Sequence, residues 1–273
     1  GAISPPEQQV AFIPYGQPAP VDYDYDYLSY SVGVNYRFRD DLSAFARYSR
    51  GARANADRLL FGPAVSTTTG ELVDSDAAVD FVKQAEGGIK YRQGGVALFG
   101  TVFYAETEEQ NFEATTQRFF DRDYRAWGVE LEGSIRRGPF SLSAGATYTD
   151  SEIRRDAINP AVEGNRPRRQ AEFIYQITPQ FDTERFTIGA NVVGTTDSFA
   201  QDNNLLVLPG FTQVNAFAQV RLMDRVQLSV NANNLFNVKG FTEAEEGAIP
   251  ANGIVRARSI NGRTVSAAVR LDF

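Results

Sequence analysis

About eleven stretches of this chain alternate apolar and polar side chains with a period of two, most of them about ten residues long. The last is the clearest. Val265, Ala267, Val269, Leu271 and Phe273 share one side of an extended chain, and Thr264, Ser266, Ala268, Arg270 and Asp272 share the other. A helix would scatter these residues around its circumference, whereas a strand sorts them onto two faces. Near the start, Leu28, Tyr30, Val32, Val34, Tyr36 and Phe38 alternate with Ser29, Ser31, Gly33, Asn35 and Arg37. The turn Asp40-Asp41 follows, and then Leu42, Ala44, Ala46 and Tyr48 alternate with Ser43, Phe45, Arg47 and Ser49, so the pair reads as a β-hairpin. The pattern predicts further strands over 81–91, 96–106, 124–136, 140–150, 168–177, 185–195, 211–222, 226–236 and 263–273.

Strand length decides between two all-β architectures. Soluble sheets use strands of about five or six residues. Ten residues tilted by about 40° rise about 25 Å, the height of the apolar band of a transmembrane β-barrel. The chain has no apolar run of about 18 residues, so it has no transmembrane helix, and only a closed barrel satisfies its backbone in lipid. A mean hydropathy of -0.31 fits a barrel, because each strand averages a lipid-facing and a lumen-facing side.

The connections alternate in length. Short turns fall at Asp40-Asp41, Gln93-Gly94-Gly95, Arg137-Gly138-Pro139 and Met223-Asp224-Arg225, with a slightly longer one from Pro179 to Glu184. Long loops cover 51–80, 107–123, 151–167, 196–210 and 237–262. Outer-membrane barrels place short turns in the periplasm and long loops outside, which predicts a periplasmic C-terminus. An odd number of strands does not make the usual even-stranded bacterial barrel. Either a strand lies within residues 3–27 or partner strands are missing. Asp22-Tyr23-Asp24-Tyr25-Asp26-Tyr27 alternates but is too acidic for a lipid face, so residues 1–27 read as an extracellular loop or rim segment before the strands of 28–273. The rival reading of this segment is a cation site.

Composition removes several function classes. Cysteine and histidine are absent, which excludes Cys/His metal sites, thiol chemistry and histidine acid–base catalysis; no catalytic residue, metal or cofactor is expected. A net charge of -7 opposes nucleic-acid binding. The first residues, Gly1-Ala2-Ile3-Ser4-Pro5-Pro6, have neither the basic nor the apolar region of a signal peptide. Either a signal was removed or the chain is a piece of something longer.

The charges on the lumen-facing side include Arg37, Arg47, Glu86, Lys90, Glu130, Glu132, Arg221 and Arg270. They read as ordinary wet lining or as a surface for a plug or substrate path. Glu130 and Glu132 stand two apart on one face, a spacing that also permits a carboxylate pair. Arg154, Arg155, Arg166, Arg168 and Arg169 flank one loop and suit either solvation or lipopolysaccharide phosphates. Aromatics near strand ends suggest two interfacial girdles: Tyr36, Phe38, Tyr91, Phe140, Phe186 and Phe273 below, and Tyr48, Tyr104, Tyr124 and Tyr148 above.

Five stretches carry a family resemblance. Val226–Asn237, ending Asn234-Leu235-Phe236-Asn237, resembles the penultimate strand of TonB-dependent receptors, although the tyrosine usual after its lysine is Phe241 here. The closing Val269-Arg270-Leu271-Asp272-Phe273 is similar to that family's last strand, and a terminal Phe273 resembles the signal read by the barrel assembly machinery. Trp127-Gly128-Val129-Glu130-Leu131-Glu132-Gly133 and Ala85-Glu86-Gly87-Gly88-Ile89-Lys90-Tyr91 match more loosely, as does Asn165-Arg166-Pro167. The resemblance covers roughly residues 28–273. It implies the C-terminal half of a 22-stranded barrel in a Gram-negative outer membrane, in contact with lipid and lipopolysaccharide. It further implies a missing N-terminal plug and barrel half, contact with TonB through that plug, and uptake of a scarce ligand such as a siderophore, cobalamin or a saccharide. It does not imply an enzyme. The alternative is a self-contained passive channel of twelve strands.

Overall fold

The computed structural model describes residues 20–55, 59, 64–73, 75–113, 118–244 and 249–272. The expected strand within residues 3–27 falls mainly outside them, as does Phe273. Eleven strands form one antiparallel sheet: β1 (Tyr30–Arg39), β2 (Leu42–Ala54), β3 (Val79–Gln93), β4 (Val96–Glu113), β5 (Arg118–Arg137), β6 (Phe140–Asp156), β7 (Phe173–Asp182), β8 (Phe186–Thr195), β11 (Phe211–Met223), β12 (Val226–Asn233) and β15 (Thr264–Leu271). Each pairs with its sequence neighbours, and β1 and β15 are the two edges. Two small hairpins sit in the long connections, β9 (Ser198–Phe199) with β10 (Val207–Leu208) and β13 (Phe241–Ala244) with β14 (Ala257–Ser259).

The register explains why alternation survives across the whole sheet. One row runs Ala44, Ile89, Gly100, Leu131, Ala146, Tyr175, Gly194. The row beside it runs Phe45, Gly88, Thr101, Glu130, Thr147, Ile174. The first lies on a mainly apolar face and the second on a mainly polar one, and a slip of one residue would exchange them. The apolar face is uncovered: Val32 and Val269 are 66% and 63% exposed. On the polar face, aromatic rings lie across directly opposed glycines. A Cβ added to Gly128 would come 2.4 Å from Phe103 Cζ, and one on Gly189 would come 2.4 Å from Phe217 Cζ, so only glycine admits these rings.

Aromatic pairs bound the apolar face at both ends. Tyr36 with Phe38, and Phe140, Phe181 and Phe186, mark the end with short turns. Tyr30 with Tyr48, Trp127 with Tyr148, and Phe173 with Tyr175 mark the other. Trp127 donates its ring N–H to Asp150 at 3.0 Å and Tyr104 its hydroxyl to Glu106 at 2.7 Å, the amphipathic placement expected at a membrane boundary.

Several expected boundaries move. Tyr124 is not in a girdle: it pairs with Ile153 on the polar-face side, three residues from Trp127 and so of opposite parity. Strands β4 and β5 continue past the girdle as a hairpin to Glu113 and Arg118. Pro179 belongs to β7, whose ladder to β8 skips Thr178 and Pro179 because proline has no N–H to donate. The turn therefore narrows to 183–185, closed by Phe186 N–H on Thr183 Oγ1 at 3.0 Å. Strand β7 begins at Phe173, after a turn at 168–169. Strand β12 stops at Asn233, where the buried Asn234 enters the left-handed region at φ 49°. The Asp/Tyr segment forms no strand over 20–29. Tyr23 and Tyr25 pack on the loop cluster of Leu59, Val65, Ala77 and Ala78, and Asp22, Asp24 and Asp26 stay exposed.

Candidate functional site

The sequence-selected charges divide into two groups on the polar face. Arg37, Arg47, Glu86, Lys90, Glu130 and Glu132 lie on β1, β2, β3 and β5. Arg47 stands opposite Glu86, with Nε 2.9 Å from Oε1, and Glu86 also accepts from Gln84 at 3.1 Å. The Lys90 ammonium lies 4.5 Å from the centre of the Phe45 ring. Glu130 sits between Thr101 and Thr147, and Glu132 between Phe99 and Gly145. Neither glutamate forms an ion pair among the described residues. Arg221 is remote from this group. It faces Gln227, as Arg270 does from the other side, at the short-turn end.

The rest of the polar face differs in kind. From β6 to β15 its positions are Ser, Thr, Asn and Gln with a few apolar residues, and no ionisable side chain occurs on this face between the short-turn end and the girdle. Asn191 Nδ2 donates to Thr178 Oγ1 at 2.9 Å, Asn215 Nδ2 to Asn191 Oδ1 at 3.5 Å, and Gln213 Nε2 to Asn215 Oδ1 at 2.8 Å. The alternation contained these amides, but sequence reading attended only to charges.

Above the girdle, two buried polar clusters flank the β4–β5 hairpin. On the β5 side, Arg122 donates through Nε to Asp156 and through Nη1 to Asp202 at 2.7 Å. Asp156 Oδ1 also accepts the backbone N–H of Ile158 at 2.9 Å and of Asn159 at 2.7 Å, and Asp202 Oδ1 accepts that of Arg168 at 2.9 Å. Burial alone would lower the Arg122 pKa; hydrogen bonds to Asp202 and Tyr124, the Asp202 charge and the Asp156 bond outweigh it and raise it. Burial alone would raise Asp156, but the Asn159 N–H, Arg122 and the Ile158 N–H hold it below the usual carboxylate range. Burial, aided by the Glu109 charge, pushes the Tyr124 hydroxyl up to about 12 against the pull of Arg122.

The Asn165-Arg166-Pro167 stretch belongs to this cluster. Ile153 N–H donates to Asn165 O at 2.9 Å, and Asn165 Nδ2 donates to Asp202 O at 2.9 Å. The basic residues expected to act together are separated by their partners. Arg155 faces Asp123 at 3.9 Å and Arg154 faces Glu152 at 3.6 Å, whereas Arg166 pairs with Glu172 and Arg169 with Glu243 at 2.9 Å.

On the β4 side, Asn55 Nδ2 reaches Ala77 O at 2.9 Å, Asp80 Oδ1 at 2.9 Å and Gln110 O at 3.1 Å, and Gln110 N–H donates to Asp80 Oδ1 at 3.0 Å. A third junction explains the Asn-Leu-Phe-Asn stretch. Asn234 Nδ2 donates to Val238 O and Asn261 O at 2.9 Å each, and Asn237 Oδ1 accepts from Arg263 N–H at 2.9 Å, tying β12 to β15.

A family model, TonB dependent receptor-like beta-barrel, matches residues 8–235. The chain belongs to the TonB-dependent receptor β-barrel family. Among similar proteins, the probable TonB-dependent siderophore receptor PiuA of Acinetobacter baumannii is 23% identical over 239 residues, covering 80% of this chain and 31% of that protein. Among solved structures, the ferric yersiniabactin uptake receptor FyuA of Yersinia pestis aligns with a TM-score of 0.72 at 20% identity, over 89% of this chain and 37% of that one. The ferric preacinetobactin receptor BauA of A. baumannii aligns with a TM-score of 0.70 at 20% identity, over 90% and 36%. The chain thus spans about a third of the length of these relatives. The fold is an arc of a TonB-dependent receptor barrel, and the family is one of outer-membrane transport receptors, not of enzymes.

Proposed function

We propose that this chain is the C-terminal wall of an outer-membrane receptor that imports a ferric siderophore with energy relayed by TonB. The observation that carries the reading is the eleven-stranded sheet with its aromatic-bounded apolar face, found in a chain of this family. In this reading the apolar face meets lipid, the polar face lines the lumen, and the long loops and residues 1–27 lie outside the cell while the C-terminus is periplasmic. The similar proteins named as siderophore receptors favour iron chelates over cobalamin or saccharides.

Strands β1 and β15 are first and eleventh in an antiparallel sheet, so they run the same way. Antiparallel closure therefore takes an odd number of further strands, which suits a second barrel part of eleven. A twelve-stranded channel would need one strand from within residues 1–27, of which residues 20–27 form none. The lumenal Arg37, Arg47, Glu86, Lys90, Glu130 and Glu132 are the surface for the plug, and Glu130 and Glu132, which form no ion pair among the described residues, await its cations. Phe273 serves as the assembly signal, and the outward Arg154 and Arg155 meet lipopolysaccharide.

The test is iron uptake by cells carrying the full-length receptor. Radioactive iron loaded onto the supernatant of an iron-starved culture of the source bacterium should enter these cells, and entry should cease when TonB is deleted. Uptake that persists without TonB would reject the reading in favour of a passive channel.

A further inference from the structure

We infer that the two sectors of the lumenal wall have different tasks: β1–β5 hold the plug, and the uncharged wall of β6–β15 is the track along which the ligand passes. The inference rests on the uptake reading above and adds to it the place of the path and the chemistry of its lining.

The segregation is the first observation. Between the short turns and the long-loop girdle, Arg47, Glu86, Lys90, Glu130 and Glu132 face the lumen from β1–β5, while Arg37 stands one pair from its turn as Arg221 does. The six strands that follow present none in the same zone, over an equal or longer stretch of wall. Ordinary polar lining would scatter charges around the ring. The second observation is the linkage of Thr178, Asn191, Asn215 and Gln213 by side-chain hydrogen bonds across three strands. These groups are already ordered and satisfied, so they do not demand a partner from a plug.

The physical argument concerns release. Charge-assisted hydrogen bonds are about twice as strong as neutral ones, and an unpaired charge left behind in a confined space is costly. A plug seated on Glu130 and Glu132 through its own cations therefore parts from that wall reluctantly. Amide and hydroxyl side chains both donate and accept, and they exchange partners with water or a passing solute at small net cost. Contact with such a wall breaks and re-forms easily, and the wall is indifferent to the solute's charge. Its natural occupant is a hydrophilic solute dense in oxygen and nitrogen groups, which the amides accompany without trapping.

The experiment uses the full-length receptor in living cells. The 273 residues contain no cysteine, so single cysteines report cleanly once any elsewhere in the receptor are replaced by serine. Asn215→Cys and Gln219→Cys probe the uncharged wall, and Thr101→Cys and Ser134→Cys probe the charged sector. A charged, membrane-impermeant maleimide is applied outside, with or without the radioiron-loaded supernatant and with or without TonB. The expected result is a severalfold rise in labelling at 215 and 219 that requires both supernatant and TonB, with 101 and 134 unchanged. A rise at 101 and 134 alone, or at all four equally, overturns the assignment of the path while leaving uptake standing. Iron entry with no change at any position also overturns it. Absence of TonB-dependent iron entry removes the uptake reading, and the path with it. Labelling of all four variants after denaturation confirms that each thiol is present and reactive.

Discussion

The two sides of the β4–β5 hairpin solve one problem with different chemistry. Both must anchor long loops above a wall that has no interior of its own. On the β4 side an amide, Asn55, and a carboxylate, Asp80, bond mainly to backbone groups and fix one loop beside a small apolar cluster of Leu59, Ala64, Val65, Ala77, Ala78 and Val79. On the β5 side a single buried cation, Arg122, gathers Asp156 at the end of β6 and Asp202 from the β9–β10 connection, 34 and 80 residues away. The first arrangement is local and shares its load with apolar packing. The second is long-range and concentrates the load on one side chain. Concentration makes the β5 side the weaker under substitution, because removing one member leaves buried charges unmatched.

The largest effect is therefore expected from Arg122→Met in the full-length receptor. It strands Asp156 and Asp202, which are 1% exposed and half-buried respectively, and costs on the order of 3–5 kcal/mol of local stability. Hydrogen exchange should accelerate together over 157–170 and 197–206, while 64–73 stays protected. If only one of the two connections loosens, Arg122 is not their common anchor.

A smaller effect is expected from Asn55→Ala. It deletes three hydrogen bonds donated by one amide and exposes Asp80 to partial loss of its partners, costing about 1–3 kcal/mol. Limited proteolysis should cut faster within 64–78 and leave 157–170 unchanged. Because the apolar cluster remains, cutting should stay slower than in the matching β5-side connection of the Arg122→Met protein. Equal rates would show that the cluster adds nothing.

The same contrast explains what was legible in the sequence. The wall was readable because lipid on one side and water on the other impose a two-residue period, and hairpins such as β1–β2 join neighbours across two-residue turns. Glu130 and Glu132 were correctly placed on one face for the same reason. Above the girdle that pressure ends. Glu106, Glu108, Asp123 and Arg125 continue the face that carries Val102, Tyr104, Trp127 and Val129 below, so the extension of β4 and β5 had no apolar signature. Tyr124 was misplaced because an aromatic near a strand end suggests a girdle, whereas parity turns it toward Arg122. The Arg122 cluster itself was invisible, since nothing local marks which of many loop carboxylates an arginine will meet.

The smallest effect is the response of the β5-side cluster to pH, and its sign is fixed at both ends. Asp156 is held below its unfolded value, so its contribution is complete above about pH 4 and fades only as pH falls through the lower folded value. Tyr124 is raised to about 12, so its contribution is complete below its unfolded value of about 10 and fades as pH rises from there through about 12. Exchange rates over 157–170, corrected for intrinsic chemistry, should therefore be flat between about pH 5 and 9 and rise outside that window. Tyr124→Phe should abolish the alkaline rise and leave the acid one, because its ring remains while its titrating hydroxyl is gone. A rise already present near neutrality would mean that another group, and not this carboxylate and phenol, governs the loops.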